Sequence, residues 1–232
     1  MTIRSLLFPD YTKAGPGVDR NAPKKTGSAL FIDIFCREFT TLLKLNLIFL
    51  VSCIPIVTIG PSIGAMTAVT VKMVKDEPSD IYYDFKQGLR KNWKQSFILS
   101  IFGGLTLITI ISAFLYYFQL EGISYYIMML IIGIVTIVAG MMWIYAYPMV
   151  VSVNLKLHHI VKNSFILSIM YIKNSIIAFL ICSSLIVLST IFLPMSVPVV
   201  LVFSFSGCSF ISSFCAWNAI CLLYTSPSPR DY

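Results

Sequence analysis

The stretch Leu45–Val71, LNLIFLVSCIPIVTIGPSIGAMTAVTV, decides how this chain folds. It contains no charged residue, and its centre holds two prolines and a glycine, which disfavour one uninterrupted helix. Such a stretch can cross a membrane once, or it can turn back on itself as a hairpin. The choice between these two arrangements sets the topology of the whole chain.

The composition places the chain in lipid. Of its 232 residues, 57% are hydrophobic and only 12% are charged, whereas soluble domains are about 25% charged. Three more uncharged windows, 95–120, 122–155 and 174–229, reach the roughly 20 residues of a spanning helix. We predict an all-α polytopic membrane helix bundle of six spans, arranged as three hairpins with interfacial helices between them. The last two spans, near 175–192 and 199–220, would be joined by a turn at Leu193–Pro198.

The basic residues decide the topology. The chain has 17 Lys and Arg residues and a net charge of +7. They lie before or at the foot of the first span, in 72–94, in 154–174 and at Arg230. A hairpin at Leu45–Val71 leaves all of them on one side, whereas a single crossing divides them. Because basic residues near spans favour the cytoplasm, we expect a plasma-membrane protein with both ends cytoplasmic and no nucleic-acid partner.

The hairpin tip is predicted at Thr58–Ser62, with Pro55, Gly60 and Pro61 as its structural residues. A second span then begins near Ile63. It is rich in small side chains, which let helix backbones approach closely in lipid. We therefore expect this span to pack against protein and not to face lipid, through Gly64, Ala65, Thr67, Ala68 and Thr70.

Residues 76–94 predict an amphipathic interfacial helix, followed by a separate span from about Gln95. Ser79 or Asp80 would cap this helix, and an apolar residue recurs every four positions from Ile81. One interpretation of the segment is a cytosolic surface for a partner protein; the alternative is a solvated helix that faces lipid headgroups. The residues of that surface would be Asp76, Glu77, Asp84, Lys86, Arg90, Lys91 and Trp93.

A threefold pattern also recurs, in which an apolar residue stands seven positions before an asparagine. The three pairs are Phe39 and Asn46, Phe85 and Asn92, and Leu167 and Asn174. An internal repeat explains the pattern, and so do three unrelated hairpins with basic feet.

No arrangement typical of catalysis, metal binding or cofactor binding occurs in the sequence. The adjacent His158 and His159 would point about 100° apart on a helix, and the six cysteines contain no C-x-x-C pair. The predicted span centres also lack the charges that mark ion pathways. We predict a protein that is not an enzyme and has no cofactor. Its polar span residues would form interhelical hydrogen bonds, or alternatively a sugar site.

Three segments are expected along the chain: a flexible cytosolic tail over 1–30, a single transmembrane domain over 31–220, and a tail over 221–232. Residues 221–231 resemble one translated reading frame of a transposase sequencing adapter. We therefore interpret the last segment as an artefact of sequence assembly that does not belong to the fold.

A family resemblance rests on the run Cys53–Pro61 and on flanking matches at Leu45–Leu47, Asp84–Phe85 and Lys91–Gln95. Over about 31–219 the chain resembles the YesL-like family, membrane proteins of unknown function from Gram-positive bacteria. Its members tend to be encoded near sugar-uptake transporters and polysaccharide-degrading enzymes. The resemblance implies a non-enzymatic accessory of carbohydrate uptake, which would bind or regulate sugar transporter subunits. A small permease for a sugar or related solute is the alternative.

Overall fold

The computed structural model describes residues 27–119, 121–191 and 203–225. The chain divides into two units, residues 1–33 and residues 34–232. In the first unit, Gly27 adopts a positive φ of 62° and its carbonyl accepts a hydrogen bond from the Phe31 N–H at 3.1 Å. Most of the expected tail over 1–30, the turn at Leu193–Pro198 and residues 226–232 lie outside the described residues.

Seven α-helices account for nearly all of the described chain, and no strand occurs in the described ranges. This confirms the all-α prediction. A short 3-10 helix, Ile56–Thr58, precedes the second helix. The helices are α1 Ser28–Ser52, α2 Ile59–Val74, α3 Ile81–Tyr117, α4 Ile123–Ser152, α5 Leu157–Met170, α6 Ile172–Ile191 and α7 Phe205–Thr225.

Four segments in the described ranges are long and apolar enough to cross a bilayer: Ile56–Val74, Ile81–Tyr117, Ile123–Ser152 and Ile172–Ser189. They identify a multi-pass membrane helix bundle. The apolar part of α7, Phe205–Cys221, is shorter than these four. Helix α1 is not among them, because Arg37, Glu38 and Lys44 fall within every 18-residue stretch of it. The six-span arrangement therefore goes beyond this finding.

Helix α2 forms the centre of the bundle. In the span that contains it, 67% of the most apolar window is buried, against 6% for α3 and 11% for α4. Its small residues make this possible: a Cβ added at Gly64 would collide with the Ser96 side chain, and one at Gly88 would lie 2.9 Å from the Ala68 Cβ. The prediction that this span packs against protein is confirmed.

Helix α3 is one continuous helix of 37 residues, and the predicted division near Gln95 does not occur. At 1.5 Å per residue it is about 55 Å long, whereas the hydrocarbon layer is about 30 Å thick. A change from polar to apolar sequence does not interrupt backbone hydrogen bonding, and no proline stands within α3. The Asp80 carboxylate caps its start by accepting from the Tyr83 N–H at 3.2 Å, as the sequence predicts.

The turn of the first hairpin lies earlier than predicted. The chain leaves α1 after Ser52, and α2 already begins at Ile59. Gly60 and Pro61 are therefore buried within the first helical turn of α2. Of the three predicted tip residues, only Pro55 lies in the loop that reverses the chain. The physical reason is that the first turn of a helix tolerates proline, since its N–H groups have no partner within the helix.

The turns of the first two hairpins lie at different depths. Gly60, next to the first turn, lies against Ser100 of α3. Beyond Ser100, α3 continues to Tyr117, which is about 26 Å of helix. The paired asparagines of the threefold pattern also differ: Asn46 is fully buried, Asn92 is half-buried and Asn174 is exposed. The first two hairpins are therefore not equivalent, and the turn of the third lies outside the described residues.

Candidate functional site

The charged end of the bundle is where Arg37 of α1, the C-terminus of α2 and the N-terminus of α3 meet. The Arg37 guanidinium donates to Asp76 and pairs with Glu38 at 3.3 Å. Partial burial lowers the pKa of Arg37, whereas the carboxylates of Asp76 and Glu38 raise it, and the net pKa lies above its ordinary value. Asp76 adopts a positive φ of 58° at this point. This exposed ion pair thus links the reversal between α2 and α3 to α1.

Asp84 departs from the predicted partner surface. It is only 4% exposed, and its Oδ1 accepts from Lys72 Nζ at 2.6 Å. It shares one face of α3 with Gly88 and Ser96, at four-residue spacing, and this face packs on α2. Its Oδ2 is buried without a hydrogen-bond partner within the described ranges. Asp84 therefore belongs to the interface between α2 and α3 and not to the exposed surface.

The other predicted members of that surface remain accessible. Glu77, Lys86, Arg90, Lys91 and Trp93 are exposed. Tyr82 and Tyr83, which the sequence analysis did not single out, are 74% and 64% exposed beside them. We call the exposed part of α3, Tyr82, Tyr83, Lys86, Arg90 and Trp93, the α3 surface. Because Asp84 turns inward, this surface is basic and aromatic.

A set of hydroxyl groups joins α2 to α7 inside the bundle. The Thr70 hydroxyl shares hydrogen bonds with Ser209 at 3.1 Å and with Ser213 at 2.8 Å. Asn46 of α1 accepts from the Ser206 N–H at 2.9 Å, near the start of α7. The Ser212 hydroxyl donates to the Ile144 carbonyl of α4. The structure thus places these polar residues in interhelical hydrogen bonds, the first of the two roles that the sequence leaves open.

A cavity of about 640 Å³ lies between α2, α4, α6 and α7. Aromatic and aliphatic side chains make up most of its wall, and the polar atoms are hydroxyls and thiols. No charged or amide side chain of the described residues lines it. Sugars are bound by directional hydrogen bonds to groups of that kind, so the cavity suits an apolar molecule better. Representative lining residues are Phe49, Met66, Trp143, Tyr147, Phe179 and Phe205.

The histidine and cysteine residues form no site. The His158 and His159 rings lie 4.2 Å apart, and both side chains are exposed. No group of three or more His, Cys, Asp and Glu side chains that could hold a metal occurs in 27–119, 121–191 or 203–225. All six cysteines are free thiols.

The Lys72–Asp84 pair was not predicted from the sequence. The signal was present as a stripe of small or polar residues at four-residue spacing along α3: Asp84, Gly88, Asn92, Ser96 and Ser100. Such a stripe marks a close helix contact. A second stripe of apolar residues lies one position later along α3, and it predicted instead that the charged residues of α3, including Asp84, face outward.

Residues 42–118 match the family described as Protein of unknown function, DUF624. This region contains the second half of α1, the first turn, α2 and α3, and it includes the Lys72–Asp84 pair and the α3 surface. It covers less than half of the chain. Comparisons with curated proteins and with solved structures give no match.

Proposed function

We propose that this chain is a non-enzymatic membrane accessory of carbohydrate uptake, and that its α3 surface binds a subunit of a sugar transporter. The observation that carries the proposal is the exposure of Tyr82, Tyr83 and Trp93 beside Arg90 on one helix. Trp, Tyr and Arg are the residues that contribute most to protein interfaces. Trp and Tyr rings also anchor helices at the headgroup level, and crosslinking at this surface separates that role from protein binding.

The position of this surface supports an interaction at the edge of the membrane. The most apolar part of α3 begins after Lys94, so the α3 surface precedes the segment that crosses the lipid. Arg37, Lys72 and Lys75 lie at the charged end, where they pair with Asp76, Asp84 and Glu77. We infer that the charged end is cytoplasmic, since basic residues flank spans on that side.

The identity of the partner is supported by the resemblance to the YesL-like family, whose members tend to be encoded beside sugar-uptake transporters. Residues Asp84–Phe85 and Lys91–Gln95 carry part of this resemblance and belong to the same helix. The proposal therefore links one helix to one partner class, and it can be tested at single positions.

A photo-crosslinking amino acid placed at Lys86 in native membranes tests the proposal. We expect it to capture a sugar transporter subunit, identified by mass spectrometry. The matched control is Ile134, which is exposed on the apolar part of α4 and should capture no such subunit. Capture of the same proteins at both positions, or no transporter subunit at Lys86, would contradict the proposal.

A small permease is the second candidate, and the cavity between α2, α4, α6 and α7 is the observation that favours it. Its apolar wall supports a mostly apolar solute rather than a free sugar. Uptake of radiolabelled solutes into proteoliposomes distinguishes the two functions. Flux that Ser183→Trp abolishes would favour the permease, because Ser183 lines the cavity and its hydroxyl donates only to the Leu180 carbonyl of its own helix. A flat uptake trace for every solute would remove it.

A further inference from the structure

A second pocket, of about 280 Å³, lies at the charged end between α2 and α3, and the end of α4 closes one side of it. Asp84 forms part of its wall. The buried Asp84 carboxylate uses Oδ1 for Lys72 and leaves Oδ2 without a partner within the described part of the chain. Because a buried polar atom without a hydrogen bond is costly, each such atom in a native protein calls for a partner.

The pocket is larger than one bound water requires. A water molecule takes up roughly 30 Å³, and pockets for small ligands start at about 300 Å³. At about 280 Å³ the pocket lies just below that range. It therefore fits a compact polar molecule and is too small for an extended chain.

The chemistry of the wall defines that molecule. An ionised carboxylate only accepts hydrogen bonds, so Asp84 Oδ2 needs a ligand hydroxyl or N–H as donor. Three ammonium groups face two carboxylates in the pocket, which leaves the wall with a net positive charge. The lysines are Lys72, Lys75 and Lys91, and the acids are Glu77 and Asp84. The side-chain amides of Gln87 and Asn92 complete the polar lining.

The three lysines differ in how far they are already engaged. Lys72 pairs with Asp84. Lys75 Nζ lies 4.4 Å from the centre of the Trp217 ring and 4.0 Å from Glu77 Oε1. Lys91 is exposed and makes no hydrogen bond or ion pair with another described residue. Lysine commonly binds phosphate groups through its positive charge. Lys91 is therefore the residue best placed to bind one.

We propose that this pocket binds a phosphate ester that carries a free hydroxyl group. The hydroxyl donates to Asp84 Oδ2, which a side-chain shift must uncover because this oxygen is shielded from solvent, and the phosphate is held by Lys91 with support from Lys75. Such an ester reaches the edge of the membrane from two sources: the glycerol headgroup of phosphatidylglycerol, or a soluble sugar phosphate. This site goes beyond the proposed function, because it needs no partner protein.

The first arm of the test uses soluble esters with the purified full-length protein in phosphatidylcholine nanodiscs. Calorimetric titration with glycerol 3-phosphate, glucose 6-phosphate and inorganic phosphate should give tighter binding of at least one ester than of phosphate. The second arm uses nanodiscs that contain phosphatidylglycerol. Native mass spectrometry should then detect retained phosphatidylglycerol but not retained phosphatidylcholine. Binding in one arm alone identifies the source.

Variants separate the pocket from general surface charge. Lys91→Gln should weaken binding roughly tenfold, as expected for the loss of one charge-assisted hydrogen bond. Its matched control is Lys94→Gln, which removes an exposed lysine of the same helix that does not line the pocket and should bind as the wild type does. Asp84→Asn should lose the preference for a hydroxylated ester over inorganic phosphate.

Two outcomes would overturn the proposal. One is the absence of binding by the wild-type protein in both arms. The other is equal weakening by Lys91→Gln and Lys94→Gln, which would indicate attraction by surface charge alone. If Asp84→Asn does not fold, the lysine pair and the wild-type preference between ester and phosphate still decide the matter.

Discussion

At the scale of single residues, Thr70 joins the two most buried parts of the bundle. It is fully buried on α2, and its hydroxyl shares hydrogen bonds with Ser209 and Ser213 of α7. A hydrogen bond between membrane helices adds only modestly to the stability of the fold, because polar groups of separated helices form other hydrogen bonds. The Thr70 hydroxyl contacts two serines of α7, so its removal would disrupt two interhelical hydrogen bonds.

Thr70→Val tests this junction, because valine keeps the shape and removes the hydroxyl. We expect the variant to lose about 1 kcal/mol of stability in detergent, measured as a lower thermal unfolding temperature. Thr109→Val is the control: Thr109 is exposed and donates only to the Leu105 carbonyl of its own helix. An equal loss in both variants would mean that the Thr70 contacts do not stabilise the bundle.

At the scale of helices, the contact between α2 and α3 depends on glycine, alanine and serine, whose small side chains allow close approach. Gly60 and Gly64 of α2 lie against Ser100 and Ser96 of α3, and Gly88 lies against Ala68. In lipid there is no hydrophobic force between helices, so close packing and dispersion must hold them together. This explains why the region around α2 is rich in small residues and is also the most buried.

Gly64→Ala should therefore destabilise the protein by about 1–3 kcal/mol, the usual effect of overfilling a packed contact. Gly104→Ala is the matched control, because a Cβ there meets no atom within 4 Å. It should leave the unfolding temperature unchanged or raise it, since alanine favours helix by up to about 1 kcal/mol over glycine. The double variant Gly64→Ala with Ser96→Gly should recover part of the loss, and failure to recover would place the strain elsewhere.

At the scale of the whole molecule, the first hairpin is short and its tip is apolar. Ile54, Ile56 and Val57 are exposed there, Ile56 by 82%. The Ser52 and Pro55 carbonyls share the one hydrogen of the Thr58 hydroxyl, which lies within hydrogen-bonding distance of both. Lipid requires such internal partners for backbone groups. Since α3 continues about 26 Å past the level of this tip, we expect the tip to lie within the hydrocarbon layer.

Cysteine accessibility tests that depth, in a variant without the six native cysteines. Ile56→Cys should react with a membrane-impermeant maleimide from neither side. Glu121→Cys, in the turn between α3 and α4, should react on intact cells, and Tyr82→Cys only after permeabilisation. Labelling of Ile56→Cys from outside would instead indicate a first hairpin that crosses the whole bilayer, as the six-span arrangement expects.

Much of the architecture follows from the sequence because it depends on composition and local spacing. The membrane environment, the all-α class, the cap at Asp80 and the packed character of α2 all rest on properties of short segments. Of the predicted partner surface, Lys86, Arg90, Lys91 and Trp93 are exposed and Asp84 is buried; the binding of a partner there stays a prediction. The continuity of α3 was not predicted, because a change from polar to apolar sequence was interpreted as a boundary between two helices. The helix runs through that point without interruption.

The sequence by itself determined that this is a membrane protein and that the span after the first turn packs against protein, because hydropathy and side-chain size act within a segment. Only the tertiary structure decided which polar groups meet. Thr70 and Ser209 are 139 positions apart, and Asp84 turns inward because its helix face lies against α2 and Lys72. The physical reason is that a hydrogen bond or ion pair depends on two helix faces being brought together, and no single segment specifies its partner.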